Sequence, residues 1–326
     1  MRAIVVREHG GPEVLSPEEV ADPSPAGGGV VVRLDAAGVN MIDVQQRAGN
    51  YAGVQLPFTP GTEGAGEVVE VGSGVEGVAR GDRVAFAGVP GAYAELVSAP
   101  ADRVVPIPDG VPTEVAAAVL LQGMTAHYLS ASVCPIDPGD LVVVHSAAGG
   151  VGLLLTQLAS ARGIEVVGTT SSEAKASLIR EAGAAEVVIR GRDDLSAVVR
   201  ERTDGAGARV VFDGVGRDTF DESLACLARR GHLVLFGQSS GGVPPFDVRR
   251  LLEAGSVFLT RPGLKHYTAT REELTWRADE VLSAVASGAL TVHVHGTYPL
   301  VDAAEAHRAL QGGGTAGKLL LRTSPG

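Results

Sequence analysis

Ala147-Ala148-Gly149-Gly150-Val151-Gly152 follow the apolar run Leu141 to Val144 and open a helical pattern at Val151, Leu154, Leu155 and Leu158. Small residues after a buried strand let the backbone turn tightly, and the first amides of the next helix, which have no acceptor within it, point at whatever anion lies there. A dinucleotide pyrophosphate is the natural anion for that geometry. Against G-x-G-x-x-G the stretch reads Ala147-x-Gly149-x-x-Gly152, so on pattern alone it also fits an ordinary tight turn. The elements around it must decide.

Four other patterns fail on their mechanics. Gly237-Gln238-Ser239-Ser240-Gly241 matches the G-x-S-x-G elbow of hydrolases, but that motif needs a helix directly after the serine, and Pro244 and Pro245 stand in the way. Gly312 to Lys318 follows a phosphate-binding loop until Leu319, where Ser or Thr should bind magnesium. His293 and His295 share one β run without a third ligand nearby, and Cys134 and Cys226 are too few for a disulfide framework or a four-cysteine zinc lobe.

The positioning elements fall into two rhythms. Up to about Leu120, short β-patterned runs alternate with Gly and Pro: Ala3 to Val6, Val30 to Leu34, Glu67 to Val71, Arg83 to Phe86 and Tyr93 to Val97. From Leu141, apolar β runs begin near Leu141, Glu165, Glu186, Arg209, His232 and Ser256, with helices expected over 150–162, 173–182, 193–202, 218–229 and 247–253. Continuously apolar runs joined by helical crossovers describe parallel strands covered on both faces, and six of them make a doubly wound α/β domain of the Rossmann type. The glycine turn lies in the first βα unit of that series, which favours the dinucleotide. After about Gly263 the alternation stops: a charged helix over 271–286, a β run over 291–295, a helix over 303–310 and a last strand over 318–321 make a tail that could complete the N-terminal module. The expected division is 1–122 and 264–326 for a mainly-β domain and 123–263 for the inserted nucleotide domain.

Composition bounds the partners. Of the 326 residues 45% are hydrophobic and 20% charged, an ordinary globular balance, and the net charge of −11 argues against non-specific nucleic-acid binding. No apolar run reaches the roughly 20 residues that would span a bilayer, and the N-terminus meets Arg7 and Glu8 before any signal core could form. A cytoplasmic protein without a membrane or nucleic-acid partner is expected.

His9-Gly10-Gly11-Pro12-Glu13-Val14-Leu15, Gly38-Val39-Asn40-Met41-Ile42-Asp43, Pro60-Gly61-Thr62-Glu63-Gly64-Ala65-Gly66, Gly81-Asp82-Arg83-Val84, the glycine turn and Phe236-Gly237-Gln238-Ser239-Ser240-Gly241 together resemble the medium-chain dehydrogenase/reductase superfamily. Within it they are most similar to the zinc-independent NADPH:quinone oxidoreductases, the zeta-crystallin-like group. The resemblance implies a GroES-like catalytic domain split by a Rossmann domain. Zinc-bearing relatives carry a cysteine near Asn40 and a histidine near Thr62; Glu63 alone cannot supply a tetrahedral site. That directs the expected chemistry toward an already electrophilic quinone or enone.

Charge selects the cofactor. NAD-binding folds place an acid about 20 residues beyond the turn, where it repels a 2′-phosphate. Here the second strand ends Gly168-Thr169-Thr170-Ser171-Ser172, followed by Lys175 and later Arg190. Hydroxyls and cations suit a phosphate dianion, so NADPH is expected, held by Ser171, Lys175 and Arg190. The resemblance further implies that Ala148, Gly149, Gly150 and Val151 cradle the pyrophosphate, that Asn40 and Asp43 flank the nicotinamide and its ribose, and that Tyr128 stacks along the cofactor. By the same token Phe236, Gly237, Gln238, Ser239 and Ser240 form the second cofactor loop, with Gln238 where relatives often have asparagine, and Tyr51 lines the substrate site as a third catalytic-site residue beside Asn40 and Asp43. No residue stands out as a general acid. The expected activity is NADPH-dependent reduction of a quinone or related conjugated carbonyl; an enoyl or alkenal reductase and a non-catalytic NADPH-binding sensor are the alternatives. The sixth β run, Ser256 to Thr260, would leave an apolar sheet edge, from which a two-fold homodimer is expected.

Overall fold

The computed structural model describes residues 1–51 and 53–323. They form two compact units, one of Met1–Met124 with the chain from Thr268 onward, the other of Thr125–Tyr267.

The discontinuous unit is built on a seven-stranded sheet. After β1 (Arg2–Val5) and β2 (Ser16–Glu19), which pair with each other, come β3 (Gly29–Val39), helix α1 (Met41–Arg47), β4 (Glu63–Val71), β5 (Arg83–Ala87), β6 (Leu96–Pro100), β7 (Val104–Pro106) and helix α2 (Thr113–Ala131). β3 pairs antiparallel with β4, with β6 and with a strand from the chain's far end. A GroES-like mainly-β domain interrupted by a Rossmann domain is therefore the architecture, as the sequence resemblance implied. Its core gathers Val30, Val32, Leu34, Val68, Phe86 and Tyr93, all buried, with Leu319 and Leu321 from the tail.

In the inserted unit, β8 (Leu141–Val144), α3 (Gly150–Ala161), β9 (Glu165–Thr170), α4 (Ala176–Glu181), β10 (Glu186–Ile189), α5 (Leu195–Arg202), β11 (Ala208–Asp213), α6 (Phe220–Cys226), β12 (Leu227–Leu235), α7 (Arg249–Glu253), β13 (Phe258–Thr260) and α8 (Leu264–Tyr267) follow one another. The sheet order is β10-β9-β8-β11-β12-β13, parallel throughout. All four residues of β8 are buried, which is why they read as one apolar run. The order reverses at β8, so the turn that follows it lies at the topological switch point, where open α/β sheets bind their ligands.

The tail supplies α9 (Arg271–Ala286), β14 (Val294–Pro299), α10 (Ala303–Gln311) and β15 (Lys318–Arg322), with β15 lying against β3 and β14 beside β15. Several elements depart from the sequence expectation. The β run expected at Tyr93 begins at Leu96, because residues 93–95 instead meet the first strand through Ile4 N to Tyr93 O and Glu95 N to Arg2 O. The helix expected to Arg229 ends at Cys226, since Leu227 pairs with Ala208 and Arg230 turns through a left-handed φ of 60°. The run expected over 291–295 is a strand only from Val294. Helix α2 carries no amphipathic signal because Ala116 to Leu120 are all fully buried, leaving no polar face to set a 3.6-residue period. Among the described residues no helix is long and apolar enough to cross a membrane.

Gly152 fixes the approach of α3 to the turn: a Cβ there would lie 2.5 Å from Ser146 O and 2.7 Å from Ala147 Cα, both backbone atoms that cannot swing away. Gly152→Ala is expected to destabilise the protein by about 1–3 kcal/mol through overpacking, read as a lower urea midpoint at unchanged m-value.

Candidate active site

In the nucleotide unit the amides of Gly150, Val151 and Gly152 precede the first closed turn of α3, in which Leu153 N donates to Gly149 O. The turn is tied down by Ala147 N to Thr169 O, and Ser146 adopts a left-handed φ of 54° to make it. Ala148 is buried, while Gly149, Gly150 and Val151 are half-buried. Such a cradle fits an anion.

The end of β9 lies next to the end of β10: Arg190 N donates to Thr170 O at 2.8 Å, which brings Arg190 beside Ser171. Ser171 is exposed, and Lys175, in a 3-10 turn over Glu173–Lys175, is half-buried, with burial lowering its pKa. Glu173, the nearest carboxylate in sequence, is paired with the Arg192 guanidinium, which also binds Asp193. That pairing blunts the repulsion a lone carboxylate would exert on a phosphate.

The second loop, Phe236 to Ser240, is moored to the loop after β11. Phe236 N and Gly237 N donate to Asp213 O, Ser239 N to Gly214 O and Ser240 N to Val215 O, and a Cβ on Gly237 would sit 2.4 Å from Gly214 O. The Ser240 hydroxyl donates to Val215 O and accepts from Asp218 N, so it serves the loop. Beneath lies a buried carboxylate that sequence reasoning missed: Asp213 accepts from the amides of Val215 and Gly216 and from the Thr219 and Ser223 hydroxyls. Tyr128 is buried with its ring stacked on Tyr267, centroids 4.2 Å apart and planes 9° off parallel. One ring face is thus covered by the protein itself.

In the GroES-like unit Asn40 and Asp43 stand at the N-terminus of α1, where Asp43 Oδ2 accepts from Asn40 N at 2.9 Å, the reciprocal half of a capping box. Both side chains are buried. The Asn40 amide is held on both ends: Oδ1 accepts from Lys318 Nζ at 2.8 Å, and Nδ2 donates to Glu63 Oε2 at 2.9 Å and Gly38 O at 3.2 Å. Lys318 Nζ and Glu63 Oε2 are 2.5 Å apart, and Glu63 Oε1 accepts from Leu121 N at 2.6 Å. Burial pushes the Asp43 carboxyl up to about 7, against the downward pulls of Asn40 N, the Lys318 ammonium and the Tyr93 hydroxyl. Tyr51, by contrast, is 44% exposed and belongs to no element. The structure thus joins Asn40 to Asp43 in one network and leaves Tyr51 outside it. Glu63, Tyr93, His307 and Lys318, which complete the network, are scattered along the chain with no local signal to find them.

The sequence matches two family models, an alcohol dehydrogenase GroES-like domain over residues 26–109 and a zinc-binding dehydrogenase domain over residues 150–274. It is 42% identical to quinone oxidoreductase 1 of Escherichia coli strain K12, over 98% of each chain, and 38% identical to a 2-haloacrylate reductase of a Burkholderia species, again over 98% of each. A mycobacterial protein solved in complex with NADPH superposes with a TM-score of 0.96 at 49% identity, covering 99% of this chain and 100% of that one. The donor set in this chain does not suit the zinc in the second model's description. Among the described residues no three His, Cys, Asp or Glu side chains group to hold a metal, and Glu63 is already neutralised by the Lys318 ammonium.

Removing that ammonium strands a buried carboxylate. Lys318→Met is expected to cost about 3–5 kcal/mol, and adding Glu63→Gln, which removes the orphaned charge, to recover part of it; paired denaturation curves read both.

Proposed function

The chain belongs to the quinone oxidoreductase family of the medium-chain dehydrogenases/reductases, and we propose that it reduces quinones or related conjugated carbonyls at the expense of NADPH. The observation that carries the reading is the end of β9: the run Thr170-Ser171-Ser172 leaves an exposed serine, Ser171, where a carboxylate would repel a 2′-phosphate, and Glu173 is engaged by Arg192. The full-length match to a quinone oxidoreductase and the likeness to an NADPH complex support it.

When bound, NADPH supplies the two electrons and the hydrogen at nicotinamide C4. This chain's residues bind and orient. In this reading Ala148, Gly149, Gly150 and Val151 hold the pyrophosphate, Ser171, Lys175 and Arg190 the 2′-phosphate, and Tyr128 with Phe236, Gly237, Gln238, Ser239 and Ser240 the rest of the cofactor. Asn40, locked by Lys318 and Glu63, and Asp43 at the head of α1 serve the nicotinamide and its ribose, and Tyr51 presents its exposed ring to the acceptor. Positioning of the two reactants supplies most of the acceleration. Reduction of an activated alkene is the second reading, favoured by the likeness to a 2-haloacrylate reductase.

We also place the protein in the cytoplasm as a two-fold homodimer. Among the described residues strand β13 ends its sheet with β12 as its one neighbour, and Phe258 on it is 56% exposed, as are Val248 and Leu252 at the preceding helix, 71% and 70%. Pairing of two such edges would cover them. Light scattering at micromolar concentration should give twice the chain mass, and a monodisperse monomer would overturn the pairing.

Steady-state oxidation of NADPH and NADH with 1,4-benzoquinone and with an enone tests the function. Turnover of the quinone with NADPH preferred is the expected result; saturated product from the enone alone would favour the second reading, and tight NADPH binding without turnover of any acceptor would make the protein a sensor. Lys175→Ala or Arg190→Ala should each raise KM for NADPH by about 10–100-fold, the worth of a charge-assisted hydrogen bond, and leave KM for NADH nearly unchanged.

A further inference from the structure

A line of buried polar side chains runs from α10 to the head of α1 with a fixed direction. Arg47 Nη1 lies 3.1 Å from His307 Nδ1, His307 Nε2 lies 3.0 Å from the Tyr93 hydroxyl, and that hydroxyl lies 3.1 Å from Asp43 Oδ2. Arg47, His307, Tyr93 and Asp43 are each at most 1% exposed. A guanidinium only donates, so His307 Nδ1 must accept, and the proton of the neutral imidazole stands on Nε2. Nε2–H then donates to the Tyr93 oxygen, and the Tyr93 proton goes to Asp43 Oδ2. Arg47 is itself anchored by Gly10 O and Gln311 Oε1, both 3.1 Å away, so the starting point cannot turn.

Asp43 Oδ2 receives two hydrogen bonds, from Tyr93 and from Asn40 N. A proton on this carboxyl therefore belongs on Oδ1, and Oδ1 faces the Thr62 hydroxyl at 3.3 Å. Thr62 retains 7% exposure, whereas Asp43 has none. Among the described residues hydrogen-bonded to this carboxyl, Thr62 is the most exposed and the one that meets Oδ1.

We propose that Asp43 stores the proton of the reaction on Oδ1 and delivers it through the Thr62 hydroxyl, with Arg47, His307 and Tyr93 as positioning residues that keep Oδ2 closed to protons. This deepens the quinone reductase reading and rests on it. Reduction of a conjugated carbonyl leaves negative charge on the carbonyl oxygen. That oxygen takes the Thr62 hydroxyl proton while Thr62 Oγ1 takes the Asp43 proton, so one O–H bond forms on the product, the threonine ends neutral and Asp43 ends as carboxylate. A solvent proton returns by the same route after the product leaves. The Tyr93 side cannot refill it, because His307 would have to give up Nε2–H while Arg47 blocks Nδ1. The groups facing Asp43 agree with this use. Burial and, to a smaller degree, the Glu63 carboxylate from β4 raise its pKa, Asn40 N, Lys318 from β15 and Tyr93 lower it, and the balance near 7 leaves it part-protonated at neutral pH. His307, pulled down to about 3 by burial and by Arg47, stays neutral throughout.

The test uses the full chain. With quinone as acceptor, kcat for the wild type should fall as pH rises through about 7, because the protonated carboxyl is the working form. Thr62→Val keeps the shape and loses the hydroxyl; kcat should drop by about 100-fold with KM little changed, and Thr62→Ser should restore it. Tyr93→Phe removes a bond that stabilises the carboxylate, so the alkaline limb should move to higher pH. An infrared titration of the cofactor-free protein reads the carboxyl directly: the protonated band absent from Asp43→Asn should fade near pH 7 in the wild type and at higher pH in Tyr93→Phe. Wild-type kcat and pH profile in Thr62→Val, or an Asp43 carboxyl already fully ionised well below neutrality, would overturn the proposal. A wild type that oxidises no NADPH with any quinone would sink the underlying reading instead, and the infrared titration would still decide whether Asp43 stores a proton.

Discussion

The ion pair of Lys318 and Glu63 is the constraint on which the GroES-like unit turns. Its two members are 255 residues apart in sequence, both essentially unexposed, and their charged atoms are 2.5 Å apart. Two charges withdrawn from water do not repay their desolvation by attraction alone; they need further hydrogen bonds to satisfy them. Here Asn40 accepts from the ammonium and donates to the carboxylate, and Leu121 N caps the other carboxylate oxygen. The pair is therefore less a source of stability than a specification: β15 must lie against β3 in the one register that brings Lys318 to Glu63, and Asn40 must face them both. The head of α1, and with it Asp43, inherits its place from that requirement.

The nucleotide unit was legible because its physics is local. The central strand β8 is apolar on both faces, helices lie in the crossovers, and the glycine turn lies between the first strand and the first helix. Periodicity along the chain reports such a fold directly. Expectations slipped where the sheet departs from regularity, as at the β11 and β12 register shift, which takes Leu227 out of the expected helix and into a strand. Helix α2 drew no expectation for the opposite reason, since its fully buried stretch Ala116 to Leu120 has no polar–apolar period to show.

The candidate site divides along the same line. The turn from Ala147 to Gly152 and the run Thr170-Ser171-Ser172 could be singled out because each is a short contiguous stretch that the strand–turn–helix pattern marks in the sequence. The polar network could not, since its members come from α1, β4, the Tyr93 loop, α10 and β15, and each residue alone is unremarkable. His307 reads in sequence as one polar residue of an amphipathic helix, yet it is unexposed and joins Arg47 to Tyr93. Tertiary proximity alone makes it a partner. The absence of an evident general acid in the sequence has the same origin: Asp43 looks like a helix-capping residue, and it is one, but burial changes what its carboxyl can do.

The stretch Gly312 to Lys318 shows how a misleading pattern can conceal a real constraint. Its resemblance to a phosphate-binding loop fails on chemistry, but Gly317 and Lys318 are still fixed by their surroundings. Gly317 adopts φ +67°, and a Cβ there would lie 2.1 Å from His293 O, the carbonyl to which Lys318 N donates at 2.8 Å. Close approach to that carbonyl is what starts β15 at Lys318 and sends its side chain inward, and glycine is the residue that permits it. The lysine that would hold a phosphate in a nucleotide loop instead carries the positive charge that makes a buried Glu63 tolerable. The glycine before it and the carboxylate it meets are thus two ends of one arrangement, and Asn40 and Asp43 stand where that arrangement puts them.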